Sequence, residues 1–112
     1  MGSAKGGNIG EFEELVLLII GILDGQAYGV SIRDAILRET NRSVNISAVH
    51  EVLKRLERKG FVRFEIGGAT EDRGGRRKKL FFITAEGRRV LEHSVALRTG
   101  LFQRIPGFSQ PS

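Results

Sequence analysis

Three patterns predict a mainly α chain with one small β-hairpin, an α+β fold. Residues 46–59 carry apolar side chains at helical spacing, with a polar, largely basic opposite face. Residues 61–66 and 80–83 are short β-prone runs on either side of an Arg/Gly-rich segment. Apolar helical stripes precede and follow this block, at residues 9–24 and 85–105.

Each element follows from local chemistry. Residues 1–8 have no apolar periodicity and are expected to be a disordered tail. Helix one is expected from about Ile9 to Asp24. Phe12, Leu15, Val16, Ile19, Ile20 and Leu23 recur on one face, and Leu17, Leu18 and Ile22 widen it. A helix this apolar is buried on more than one side, so it is expected to face both its own core and a second subunit. Asp24, Gly25 and Gln26 form a turn signal. Helix two is expected over residues 29–40, with Val30, Ile32, Ala35, Ile36 and Leu37 inward and a capping-box spacing at Ser31 and Asp34. Asn45 is the natural N-cap of helix three and Gly60 its stop. Thr84 caps the last helix, Val90, Leu91, Val95, Leu97, Leu101 and Phe102 stripe it, and Pro106 and Gly107 end it. Two helices joined by a short polar turn, followed by a cationic hairpin, predict a winged helix-turn-helix. The expected division is a domain over residues 9–84, a last helix over 85–105 and a flexible tail over 106–112.

Composition narrows the function. The chain has 112 residues, 40 % of them hydrophobic, enough for one core. Cysteine is absent, which removes disulfides, thiolate metal sites and cysteine nucleophiles and suits a reducing, cytoplasmic setting. The longest apolar run, Leu15 to Leu23, is too short for a membrane span, which needs roughly 18 residues. Acidic Glu11, Glu13 and Glu14 sit where a secretory signal would be basic. The net charge of +5 is unevenly spread: residues 1–41 carry −3 and residues 42–112 carry +8. That asymmetry points to a polyanionic partner.

On a helical wheel, Ser47, His50, Glu51, Lys54, Arg55 and Arg58 share the outward face of helix three. Ser47, His50, Glu51 and Lys54 lie in its first turns, where a recognition helix meets base edges. Arg55 and Arg58 lie later and suit phosphate. Arg73, Arg76, Arg77, Lys78 and Lys79 place five cations in seven residues of the hairpin, matched to phosphate or a narrow minor groove. The bland alternatives are a solvated helix face with a Glu51–Arg55 ion pair and a hairpin charged for solubility. Helix and hairpin together favour double-stranded DNA over both. A protein-interaction module docking an acidic partner through the hairpin is the competing reading. Enzymatic function has no support: His50 and His93 fall on different helices, no metal-ligand spacing occurs, and no cofactor is expected.

The motifs also resemble the PadR family of bacterial winged-helix transcriptional regulators, over about residues 11–92. The resemblance is carried by Ala27, Tyr28, Gly29 and Val30 with Ile32 and Arg33, then by Ala48, Val49 and His50. The run from Leu53 to Gly60, the wing at 71–78 and the segment 83–88 complete it. It implies a homodimeric repressor bound to a palindromic operator, with helix three in the major groove and the wing on the flanking minor groove or backbone. His50 stands where such proteins usually carry tyrosine. The resemblance further implies a dimer through the last helix and helix one, which selects Phe12, Leu15, Ile19, Leu91, Val95, Leu101 and Phe102 as interface residues. It also implies a small-molecule effector at the dimer interface. Phe102 and Phe108 are the aromatics near it, and plain packing is the stronger reading of both.

Overall fold

The computed structural model describes residues 8–69 and 77–107. The order is α1 (Glu11–Leu23), α2 (Gly29–Thr40), α3 (Ile46–Arg58), β1 (Val62–Ala69), β2 (Arg77–Ile83) and α4 (Ala85–Gln103). Of the expected tails at 1–8 and 106–112, residues 1–7 and 108–112, with Phe108, lie outside the described residues, as does the hairpin tip at 70–76, with Arg73 and Arg76.

Helix boundaries are set by caps. The Glu13 carboxylate accepts the Gly10 N–H at 2.7 Å and closes the start of α1. Asp24, at φ 42°, turns the chain out of α1, and its N–H donates to the Ile20 carbonyl. Asn45 Oδ1 accepts the Ala48 N–H at 2.8 Å at the start of α3. Gly60, at φ 82°, ends that helix in a conformation that costs glycine little. Thr84 Oγ1 accepts the Gly87 N–H and donates to the Gly60 carbonyl, so one side chain both caps α4 and holds the end of α3. Ser31 departs from expectation. It is the third residue of α2, where its hydroxyl accepts the Tyr28 N–H and donates to the Gln26 carbonyl. Asp34 pairs with Arg33 instead of closing a box.

Helices α1, α2 and α3 enclose the core with Phe61, Val62, Phe81 and Val90. Two expectations are corrected here. Leu37 is 49 % exposed and does not belong to the buried face of α2, whereas Leu18 and Ile22, at 40 % and 60 %, lie on the side of the α1 stripe turned away from the chain's own core. Ile19, expected at a subunit interface, is 1 % exposed within the single chain and has no surface left to offer. The face that α1 presents outward is the one carrying Leu18 and Ile22.

The strands pair antiparallel, with Phe64 opposite Phe81 and Glu65 opposite Leu80. Both are longer than the sequence suggests. The ladder passes the glycines through a register irregularity between Ile66 and Ala69, and β2 begins at Arg77 rather than Leu80. An irregularity of this kind absorbs residues that would otherwise break a strand. Cationic side chains on a two-stranded ribbon remain in solvent, so they do not oppose pairing. The Phe81 N–H donates to the Ala27 carbonyl at 2.8 Å and fastens the ribbon to the α1–α2 turn.

Two adjacent buried carboxylates organise the helices. Glu13, 6 % exposed, meets Arg55 Nε and Lys59 Nζ, each at 3.0 Å. Glu14, 5 % exposed, meets Arg98 at 3.0 Å and accepts from Ser94 Oγ at 3.2 Å. Burial pushes the Glu13 carboxyl up, but the Gly10 N–H, Lys59 and Arg55 outweigh it and hold it below the usual carboxylate range.

Two predictions follow from this packing. A Cβ on Gly87 would collide with the Phe61 carbonyl group, so Gly87→Ala is expected to cost about 3 kcal/mol by denaturant unfolding. Glu13→Gln keeps an acceptor for Gly10 and removes the charge, at an expected cost of about 1–2 kcal/mol at neutral pH. Because the folded carboxyl titrates below its unfolded value, its contribution is complete above the ordinary value of 4.5 and is lost as pH falls through the folded one. The stability gap between wild type and Glu13→Gln is therefore expected to close in acid. A gap unchanged between neutral pH and about pH 3 would remove Glu13's charge from the account.

Candidate nucleic-acid interface

Helix α3 turns Val49, Val52, Leu53 and Leu56 into the core and leaves Ser47, His50, Glu51, Lys54 and Arg58 exposed. Those five side chains are available to a ligand lying along the helix. Arg55 is not equivalent to them. It is half-buried and bound to Glu13, so the Glu51–Arg55 pair that the spacing suggests is replaced by a tie to α1.

The basic residues of β2 are brought beside α3. Arg77, Lys78 and Lys79 line a cleft of about 470 Å³ together with His50, Lys54 and Tyr28. Two of the cations rest on aromatic faces: Lys78 Nζ lies 4.2 Å from the Tyr28 ring centroid, and Lys79 Nζ lies 4.0 Å from that of Phe64. Such contacts steer an ammonium without neutralising its charge. Arg58 lines a shallower depression with Lys54 and Glu57.

The distribution of ion pairs sharpens the picture. Among the described residues, Arg33, Arg38, Arg42, Arg55, Lys59, Arg63, Arg88, Arg89 and Arg98 each have a carboxylate at 3.6 Å or less. The described cations without one are Lys54, Arg58, Arg77, Lys78, Lys79 and Arg104. Five of these six lie on α3 and β2. A protein whose basic residues served only solubility would have no reason to concentrate its uncompensated charge on one helix and the adjoining strand. Such a surface attracts a polyanion and is screened by salt.

Sequence reasoning missed three contributors. Glu13 binds residues 42 and 46 positions away, a pairing with no local signature. Tyr28 is visible as a motif residue, but its seat beneath Lys78 is tertiary. Gly29 packs against His50, which only the helix arrangement reveals. Among the described residues, no group of three or more His, Asp or Glu side chains could hold a metal ion. Among the described residues, no helix is long and apolar enough to cross a membrane.

Comparison with solved structures finds the same arrangement elsewhere. A PadR-like transcriptional regulator from Bacillus cereus strain ATCC 14579 superposes with a TM-score of 0.71 at 17 % identity, covering 90 % of this chain and 93 % of that one. A PadR-like transcription factor from Bacteroides fragilis gives 0.68 at 22 % identity, covering 82 % and 84 %. A PadR family regulator from Eggerthella lenta DSM 2243 gives 0.66 at 22 % identity, covering 91 % and 88 %. At these identities the likeness establishes the fold. Comparison with curated protein sequences finds no significant match. The model of the transcriptional regulator PadR-like family matches residues 17–93, spanning α1 to α4 and more than half of the chain. With that match the helix and ribbon have a defined context, and the chain belongs to the PadR-like family of DNA-binding transcriptional regulators rather than to any class of enzyme.

Proposed function

We propose that the protein is a homodimeric repressor that binds a palindromic operator with α3 and the β1–β2 ribbon. The observation that carries this reading is the concentration of uncompensated cations on Lys54, Arg58, Arg77, Lys78 and Lys79. Ser47, Glu51 and Lys54, in the first turns of α3, read base edges: lysine suits guanine acceptors, and the Glu51 carboxylate suits the cytosine amino group. Arg58, Arg77, Lys78 and Lys79, with Arg73 and Arg76 from the hairpin tip, supply phosphate contacts and most of the affinity. Arg55 contributes less than its wheel position suggests, because Glu13 already holds it.

The second copy is suited to the outer faces of α1 and α4. Leu18 and Ile22 are exposed on α1, and Val95, Leu97, Leu101 and Phe102 are exposed on the second half of α4. An apolar groove of about 440 Å³ between these helices is lined by Leu17, Leu18, Gly21, Ile22 and Leu91. Phe12 and Leu15 stay beside the core and are half-buried, so α4 and the Leu18–Ile22 face carry most of the contact. Two such subunits place their α3 helices in successive major grooves, roughly 34 Å apart. A small-molecule effector at the same interface is compatible with the size of the groove.

Selection of bound duplexes from a random pool at near-physiological salt tests the reading. Enrichment of an inverted repeat with half-sites one turn apart is expected. Weak, unselective binding would favour a module for acidic protein partners instead. Arg77→Ala with Lys78→Ala is expected to weaken binding to every duplex and to lower the salt slope by about 2. Lys54→Ala is expected to change the preferred sequence, by about 1–3 kcal/mol at the affected base pair. Sedimentation of the wild type as a dimer at micromolar concentration, and of Leu101→Asp as a folded monomer, would place α4 at the interface. A stable wild-type monomer would overturn the dimer.

A further inference from the structure

We propose that the cleft between the first turn of α2, helix α3 and strand β2 seats a backbone phosphate of the duplex, with His50 as a donor and Gly29 as the residue that positions it. The proposal rests on the DNA-binding reading above and assigns His50 to the backbone rather than to the bases.

The contact between Gly29 and His50 is the starting observation. A Cβ built on Gly29 would lie 2.8 Å from His50 Cε1, 3.2 Å from Nε2 and 3.5 Å from Ile46 Cδ1. The first of these is closer than van der Waals contact allows, so the imidazole lies where only glycine leaves room. A side chain that reads bases projects from the outer face of its helix into the groove. His50 is exposed, but its ring leans toward Gly29 in the first turn of α2 and forms part of the cleft wall. Imidazole offers a donor there in either of its charge states, given the appropriate tautomer.

The rest of the cleft suits an anion. Among the described residues, Lys54, Arg77, Lys78 and Lys79 line it against a single carboxylate, Glu57. Lys78 is held on the α2 side of the cleft by the Tyr28 ring, 4.2 Å away. Gly29 and Val30, the first two residues of α2, also line the cleft, so the positive end of that helix adds to the field. Donors converge from a helix, a strand and a helix start. That arrangement suits a phosphodiester, which accepts hydrogen bonds from several directions, better than a base edge, which presents a planar pattern.

Affinity for the selected operator and for a scrambled duplex of equal length, at one salt concentration, tests the assignment. His50→Ala is expected to weaken both by the same factor, on the order of tenfold. His50→Gln keeps a donor near the Nε2 position and is expected to retain most of the affinity. Loss of the operator-to-scrambled ratio, with the scrambled affinity unchanged, would overturn the assignment and make His50 a base reader. Gly29→Ala is expected to weaken binding as His50→Ala does, and to add nothing when combined with it. Additive losses would overturn the positioning role. Thermal unfolding of Gly29→Ala separates displacement of His50 from loss of fold. Should that variant not fold, a series of operators each with one phosphate replaced by a neutral methylphosphonate decides the matter. One position is expected to weaken the wild type but not His50→Ala, and absence of any such position would overturn the seat. Failure of the wild type to prefer any duplex would overturn the DNA-binding proposal itself, and is seen before any variant is measured.

Discussion

The arrangement of the helices depends on a buried carboxylate. Glu13 sits in the first turn of α1 and accepts from its own N-cap, from Arg55 and from Lys59. A carboxylate this buried is tolerated only when its lone pairs are satisfied and its charge is met. Both cations come from the last turn of α3 and its cap, so the constraint falls on the helix that carries Lys54 and Arg58. The next residue, Glu14, applies the same chemistry to α4 through Ser94 and Arg98. One turn of α1 thus holds α3 on one side and α4 on the other. Apolar packing alone would permit these helices to slide. Hydrogen-bonded ion pairs of defined geometry restrict that freedom.

That arrangement also decides which cations remain for a partner. By taking Arg55 and Lys59, Glu13 removes those two cations from the uncompensated surface near the end of α3. Lys54 and Arg58 stay outside, and the remaining charge is carried by β2. Lys78 and Lys79 hold their ammonium groups over aromatic faces, which orient them without a counter-charge. The hydrogen bond from Phe81 to the Ala27 carbonyl then fixes where this strand runs relative to α2 and α3. Position and charge of the ribbon are therefore controlled by different groups, so changing the cations of the wing need not move it.

The fold was legible wherever local chemistry decides it. Asn45, Gly60 and Thr84 mark helix ends because capping is a contact within three residues, and the apolar spacing of α3 identifies its inward face. Legibility failed where two local rules compete or where a partner is distant. Ser31 satisfies a capping spacing, but with Tyr28 before it rather than Asp34 after it. Gly67 and Gly68 and the cations Arg77, Lys78 and Lys79 look like parts of a loop, although pairing across the ribbon outweighs their low strand propensity. Ile19, Leu18 and Ile22 all belong to a helix that is apolar almost all round, so periodicity could not say which side faces the core. The outward residues of α3 were legible from the wheel. The withdrawal of Arg55 by Glu13 and the packing of His50 on Gly29 were not, because each requires knowing which helix lies alongside.

The distribution of burial along α4 completes the argument. Gly87 and Val90 are buried against Phe61 and the ribbon, while every residue from Val95 to Gly107 is exposed, several of them large and apolar. A helix stabilised only by its own domain would end where that packing ends, since isolated helical turns are marginal in water. Arg98, in this half of the helix, returns to Glu14 on α1. In the proposed dimer this matters for spacing. The distance between two reading helices is set by how rigidly each is joined to the helix that contacts the other subunit. Here that joint runs from α4 through Glu14 and Glu13 to α3, within two consecutive residues of α1. A dimer of the proposed kind, matching half-sites one duplex turn apart, would draw its spacing from this short, charge-locked connection.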